Sequence, residues 1–86
     1  MANLWYGSIN TGGDYATLAS ISGQTFTNGT TYTIQVKGKC YLCEKSSKPT
    51  SGGFLVTEGI PVQYTASTDS LYVKNVSDSC LINIAD

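Results

Sequence analysis

Apolar and polar residues alternate along residues 31–44, TYTIQVKGKCYLCE, with most of the apolar residues at even positions. Threonine, glutamine and lysine occupy the odd positions up to residue 39. Because successive side chains of a β-strand point to opposite faces, the pattern predicts one buried face and one solvated face. No other part of the chain alternates as regularly, and we expect the remaining strands to pack against this stretch.

Gly38 interrupts the stretch between Lys37 and Lys39 without changing which positions are apolar. A glycine inside a strand usually marks a bulge or a sharp bend, as at the corner of a sheet. A tight reversal at these three residues is the competing interpretation. The continued alternation favours the bend.

Further extended segments are predicted at residues 3–9, 24–27, 54–58, 60–65, 71–76 and 80–85. Turns separate them, including the hairpin dipeptide Asn28-Gly29 and the polar residues 77–79. The total of about seven short strands predicts a single all-β domain over residues 1–86. Its architecture is expected to be a small antiparallel β-barrel or β-sandwich.

The two segments that follow the central stretch have most of their apolar residues on one parity, namely Phe54, Val56, Ile60, Val62 and Tyr64. Gly59 between them predicts a bulge. Pro61 cannot donate a hydrogen bond to a neighbouring strand, so we expect its strand to lie at a sheet edge or to begin with this proline. Residues 44–53, EKSSKPTSGG, predict an exposed and mobile loop.

Residues 14–22, DYATLASIS, fit a helix or a strand almost equally well. Tyr15, Leu18 and Ala19 have helical spacing, Asp14 is a possible N-cap, and Gly23 suits the left-handed position after a helix. We predict one short helical turn near residues 14–22.

The composition favours a neutral polar surface, because only 13% of the residues are charged and the formal net charge is −1. Fewer charges make a surface easier to bury in an assembly, although a Thr/Ser-rich β domain has the same composition without any partner. The chain contains no Arg and no His. Nucleic-acid binding is therefore not expected, since it relies on Arg, and the commonest general base and metal ligand is missing.

No apolar run approaches the length of about 18 residues that a transmembrane helix needs. The first residues, MANLW, lack the basic start and apolar core of a signal peptide. We therefore expect no membrane association and a protein that is made in the cytoplasm, leaving it only within a larger particle. Trp5, the single tryptophan, is expected in the core or in an interface.

Cys40 and Cys43 form a C-x-x-C pattern within the strand-like stretch, and Cys80 is separate. Residues three apart on a strand point to opposite faces and lie roughly 10 Å apart, which is too far for a disulfide. A zinc site needs further ligands that the pattern does not supply. Free structural thiols, with Cys40 near Cys80 in the core, are favoured over metal or redox chemistry, and we expect no metal and no cofactor.

No combination of residues predicts catalysis, so we expect a protein that is not an enzyme. The carboxylates are scattered over turns and strand ends, and a cysteine nucleophile would have no histidine as its base. Tyrosines on solvated or mixed faces offer a possible sugar-stacking surface, namely Tyr6, Tyr15, Tyr41 and Tyr72. Core or interface packing is the favoured role of these aromatic residues.

The lysines are distributed unevenly along the chain. Lys37, Lys39, Lys45 and Lys48 outweigh Glu44 within residues 37–48, whereas acidic residues dominate the chain after this segment. Surface patches of opposite charge suit contacts between identical subunits. The alternative is that the lysines belong to an ordinary hairpin that faces solvent. With Tyr41, these four lysines form the predicted partner-binding surface.

Several segments resemble small virion proteins of tailed bacteriophages: GTTYTIQ at 29–35, CYLCEK and PTSGGF within 40–54, GIPVQYT at 59–65, and LYVK with LINIAD within 71–86. Such proteins include capsid-decoration, head-fibre and accessory components. The resemblance covers residues 29–86.

The resemblance implies a non-enzymatic structural protein of the virion, attached to the capsid or tail. It further implies a homo-oligomer, such as a trimer, with other virion proteins as partners. Two alternatives stay open. One is a small carbohydrate- or receptor-binding β module, and the other is a phage-encoded inhibitor of a host protein that presents residues 44–53.

Overall fold

The computed structural model of the protein describes residues 3–76 and 80–86. Its elements, in chain order, are β1 (Asn3–Ser8), β2 (Ala16–Thr17), α1 (Leu18–Ser22), β3 (Thr31–Lys37), β4 (Lys39–Lys45), β5 (Phe54–Thr57), β6 (Val62–Thr65), β7 (Ser70–Asn75) and β8 (Leu81–Ala85). The turn predicted at residues 77–79 lies outside the described residues.

The strands form two antiparallel sheets of four strands each. Sheet A has the order β1-β8-β3-β6, and sheet B has the order β2-β7-β4-β5. Apolar side chains fill the space between the two sheets, so the domain is a β-sandwich. The prediction of a small antiparallel all-β fold is confirmed.

Gly38 is the corner at which the chain passes from sheet A to sheet B. It separates β3 from β4, and its φ of 108° lies where L-residues are strained. The two strands belong to different sheets, so the tight reversal is wrong and the predicted corner is confirmed. Ile34 before the corner and Cys40 after it are both buried, because the apolar parity continues through the bend.

The core lies between the sheets and is built mainly from residues of β3, β4, β7 and β8. Ile82 and Ile84 of the interior strand β8 are fully buried, as are Ile34 and Val73. Burying a side chain of this size contributes about 1.5–3 kcal/mol. Trp5 packs against this core while partly buried, in agreement with its predicted core position.

The predicted helical turn is confirmed as α1, and Gly23 ends it in the left-handed conformation, donating from its N–H to the Ala19 carbonyl at 2.8 Å. The predicted N-cap Asp14 is wrong. Residues Ala16–Thr17 first pair with β7, so the helix begins only at Leu18.

Residues 24–27 lie outside both sheets, which corrects the strand predicted there. The turn at Asn28-Gly29 is present, but it connects an irregular segment to β3 and does not close a β-hairpin. Aromatic packing holds this segment, because Phe26 makes edge-to-face contacts with Tyr32 and Tyr64 at centroid distances of 5.0 and 5.8 Å.

Candidate interaction surface

The corner at Gly38 divides the predicted lysine surface between two faces. Lys37 is exposed on the outer face of sheet A, opposite Leu81 of β8. Lys39 is exposed on the outer face of sheet B, opposite Thr57 of β5. The bend at Gly38 keeps the apolar side chains of both strands in the core. The outward-facing side chains before and after it therefore lie on the outer faces of two different sheets. The single lysine face expected from the alternation is therefore wrong.

Lys48 is engaged within the chain. Its ammonium lies 2.6 Å from Asp14 Oδ2, and both side chains are more than half exposed. The Lys48 hydrogen bond lowers the pKa of Asp14, and a hydrogen bond from the Tyr15 N–H lowers it further. One of the four predicted partner-binding lysines thus already has an intramolecular counterion.

The loop between β4 and β5 is exposed as predicted in most of its side chains, but it is anchored. Pro49 is fully buried, and the Tyr15 hydroxyl donates a hydrogen bond to the Gly52 carbonyl. Gly53 passes so close to this hydroxyl that an added Cβ would lie 2.7 Å from it. The loop therefore folds back onto Tyr15 and does not extend as a free tip.

The predicted tyrosines do not form one platform. Tyr15 is buried, Tyr6 lies on the outer face of sheet A, and Tyr41 and Tyr72 lie on the outer face of sheet B. Lys74 lies 5.1 Å from the centroid of Tyr15 and 5.7 Å from that of Tyr41, so both rings already face a cation. Of the predicted partner-binding residues, Tyr41 and Lys45 share β4 with Lys39, and the role of the set stays a prediction.

Of the four described strands at sheet edges, β5 differs from the other three in having no feature that prevents pairing with another chain. Unpaired backbone groups at an edge promote pairing with another chain unless the edge is short, bulged, charged or interrupted by proline. In the described residues, β2 has only two residues, β1 has an irregularity between Asn3 and Trp5, and Pro61 precedes β6. The fourth edge, β5, pairs regularly with β4, and its sequence FLVT has neither charge nor proline.

β5 also exposes two large apolar side chains, because it is an edge strand and β6 belongs to the other sheet. Phe54 is 81% exposed and Leu55 is 53% exposed. Beside them, a cleft of about 400 Å³ opens between the β5 edge of sheet B and the β6 edge of sheet A. Its apolar lining includes Leu42, Val56, Val62, Tyr64 and Leu71. We call β5 with this cleft the β5 surface.

The polar side chains of Glu44 and Gln63 also border the cleft. Glu44 accepts a hydrogen bond from the Ser67 hydroxyl at 2.8 Å. Burial raises the pKa of Tyr64, and the negative charge of Glu44 raises it further. The Tyr64 hydroxyl therefore stays protonated at neutral pH and adds no charge to the cleft.

The three cysteines are free thiols. Cys40 and Cys80 are buried, whereas Cys43 is partly exposed on the opposite face of β4, as the spacing predicted. Burial raises the pKa of Cys40 to about 12, and the neighbouring Cys80 adds to this shift. The predicted core contact between Cys40 and Cys80 is confirmed.

Among residues 3–76 and 80–86, no three His, Cys, Asp or Glu side chains cluster in a way that would hold a metal ion. The same residues contain no helix with the length and apolar character to cross a bilayer. Comparison with protein-family models, curated proteins and solved structures finds no match to this chain.

Proposed function

We propose that this protein is a non-enzymatic structural subunit that assembles with a second copy of itself through the β5 surface. The observation that carries the proposal is the regular, uncharged edge strand β5 with Phe54 and Leu55 exposed beside an apolar cleft. Exposed apolar surface next to an unprotected strand edge is typical of protein interaction sites.

A second copy fits this surface because the strand is complementary to itself. Antiparallel pairing of two β5 strands about a two-fold axis centred on Leu55 places Phe54 opposite Val56 of the second copy. This register keeps inward side chains opposite inward ones, since facing residues of a strand pair share a face. No like charges meet, and the two sheets B join into one continuous sheet.

The particle to which this subunit belongs is proposed from the sequence segments in residues 29–86 that resemble virion proteins of tailed bacteriophages. In that setting the protein acts by contacts with its own copies and with capsid or tail proteins. A trimer, which the resemblance implies, requires β5 to pair with a different edge of the next copy, because a two-fold contact closes a dimer.

Light scattering coupled to size-exclusion chromatography tests the assembly. We expect a dimer for the wild type and a monomer for Leu55→Lys, which places two like charges at the two-fold axis. Val76→Lys is the matched control, because Val76 is also an exposed apolar residue but lies outside β5. A wild-type protein that stays monomeric at high concentration overturns the proposed contact.

The virion assignment has a separate test. Antibody-gold labelling of phage particles from the source genome should place the protein on the capsid or tail, with its gene among those of other virion components. A gene remote from such genes, together with unlabelled particles, would contradict the assignment without affecting the measured oligomeric state.

A further inference from the structure

A second surface lies on the outer face of sheet A. Strand register aligns Tyr6 of β1 with Asn83 of β8, and Asn83 with Gln35 of β3. Residues that face one another across neighbouring strands have Cβ atoms about 5 Å apart. An exposed aromatic ring and two carboxamides therefore form one row across three adjacent strands, with Tyr6 61% exposed.

A wall beside this row turns the face into a groove. Residues 58–61 connect β5 to β6 and border the groove together with Lys37 and Leu81, enclosing about 320 Å³. Ile60 shares its parity with Val62, but it is 64% exposed because β6 begins only at Val62. The groove thus has a wall that combines Ile60 and Pro61 with the carboxylate of Glu58, a polar floor, and an aromatic ring at its β1 side.

Asn83 gives the floor an unused hydrogen-bonding group. Its Oδ1 is covered and has no hydrogen-bond partner among the described residues. Buried polar atoms are nearly always paired, so an orphaned acceptor in a groove indicates a position where a ligand completes the bonding. A ligand in the groove reaches this oxygen only after the amide rotates, and the terminal torsion of an Asn side chain is soft enough to allow that.

From this arrangement we infer that the groove on sheet A, defined by Tyr6, Asn83 and Gln35, is a binding site for a neutral oligosaccharide. The Tyr6 ring packs against the C–H face of a sugar ring, while the two carboxamides donate to and accept from its hydroxyls. Lys37 and Glu58 border the groove with opposite charges, which favours a ligand without net charge.

This inference does not rest on the proposed assembly. The β5 surface continues sheet B at its edge, whereas the groove lies on the outer face of sheet A. Loss of self-association in Leu55→Lys should therefore leave oligosaccharide binding unchanged, and loss of binding should leave the oligomeric state unchanged.

Isothermal titration with a panel of neutral oligosaccharides of glucose, galactose, mannose and N-acetylglucosamine tests the site. We expect at least one of them to bind to the wild type. Tyr6→Ala should weaken that binding about tenfold or more, whereas Tyr6→Phe should retain it. Tyr72→Ala, which removes a tyrosine from the outer face of sheet B, is the matched control and should bind as the wild type does.

The Asn83→Ala variant tests whether the Asn83 side chain serves ligand binding or the stability of the fold. We expect it to weaken oligosaccharide binding while its thermal midpoint stays at or above that of the wild type, because the orphaned acceptor is removed. Failure of the whole panel to bind overturns the inference. Binding that is equally strong in Tyr6→Ala, or a groove that takes an extended peptide in place of sugars, overturns it as well.

Discussion

The Cys40 thiol lies against the Cys80 thiol in the centre of the sandwich, where both side chains are buried. Cys40 lies on β4 of sheet B, and Cys80 directly precedes β8 of sheet A. The contact therefore joins the two layers on the inward face of β4. Cys43 lies on the other face of the same strand, so the C-x-x-C pattern does not form a functional pair.

The reactivity of the three thiols should follow their burial. In the native protein we expect only Cys43 to react with a water-soluble disulfide reagent, because thiolates react and burial keeps Cys40 and Cys80 protonated. All three cysteines should react after denaturation. The Cys43→Ser variant is the control and should show no native reactivity. Rapid labelling of that variant would contradict the buried positions of the other two thiols.

Stability should fall at alkaline pH. The pKa of Cys40 is raised from 9.0 to about 12 in the folded protein, so unfolding releases a proton when the pH lies between these values. The stability that this pKa difference contributes is complete below pH 9.0 and is lost as the pH rises towards 12. Urea unfolding measured at successive pH values reports it as a decline in the free energy of unfolding.

Cys40→Ala is the comparison that isolates this effect, because Tyr15 and Tyr64 also have raised pKa values. The variant should be less stable at neutral pH, since it leaves a small cavity, but its stability should decline less steeply above pH 9.0. Parallel declines in both proteins would rule out Cys40 as a source of the pH dependence.

The sequence carries enough information to predict the sandwich core and its corner. Alternation through residues 31–44 identifies Ile34, Val36, Cys40 and Leu42 as inward-facing, and the bend at Gly38 leaves this parity intact. Such information is local, because a strand's period of two residues determines which side chains share a face.

The interaction surfaces could not be predicted in the same way, because they depend on strand order. Phe54 shares its parity with Val56, yet Val56 is buried and Phe54 is exposed at the beginning of an edge strand. Lys37 and Lys39 share a parity but lie on different sheets. The row from Tyr6 to Gln35 joins residues 29 positions apart through β8, which no local pattern reveals.

The anchored loop gives a further prediction. Tyr15→Phe removes the hydroxyl that donates to the Gly52 carbonyl, and we expect a loss of about 1 kcal/mol in the free energy of unfolding. Limited proteolysis should then cut residues 46–53 faster than in the wild type. Lys48→Ala is the control, because it breaks only an exposed ion pair and should change either measurement little. Equal proteolysis in all three proteins would contradict the anchoring role of Tyr15.

Replacement of the corner glycine should weaken the fold more than replacement of a glycine in an open turn. The φ of 108° at Gly38 lies beyond the left-handed region that L-residues tolerate, so Gly38→Ala should destabilise the protein by about 1–3 kcal/mol in urea unfolding. Gly12→Ala is the matched control, since Gly12 has a φ of 68° and open space around its Cβ position. It should lose less stability than Gly38→Ala. If both variants unfold at the same urea concentration, the chain does not need a glycine to pass from sheet A to sheet B, and the bend must then be imposed by the packing of Ile34 and Cys40 on either side.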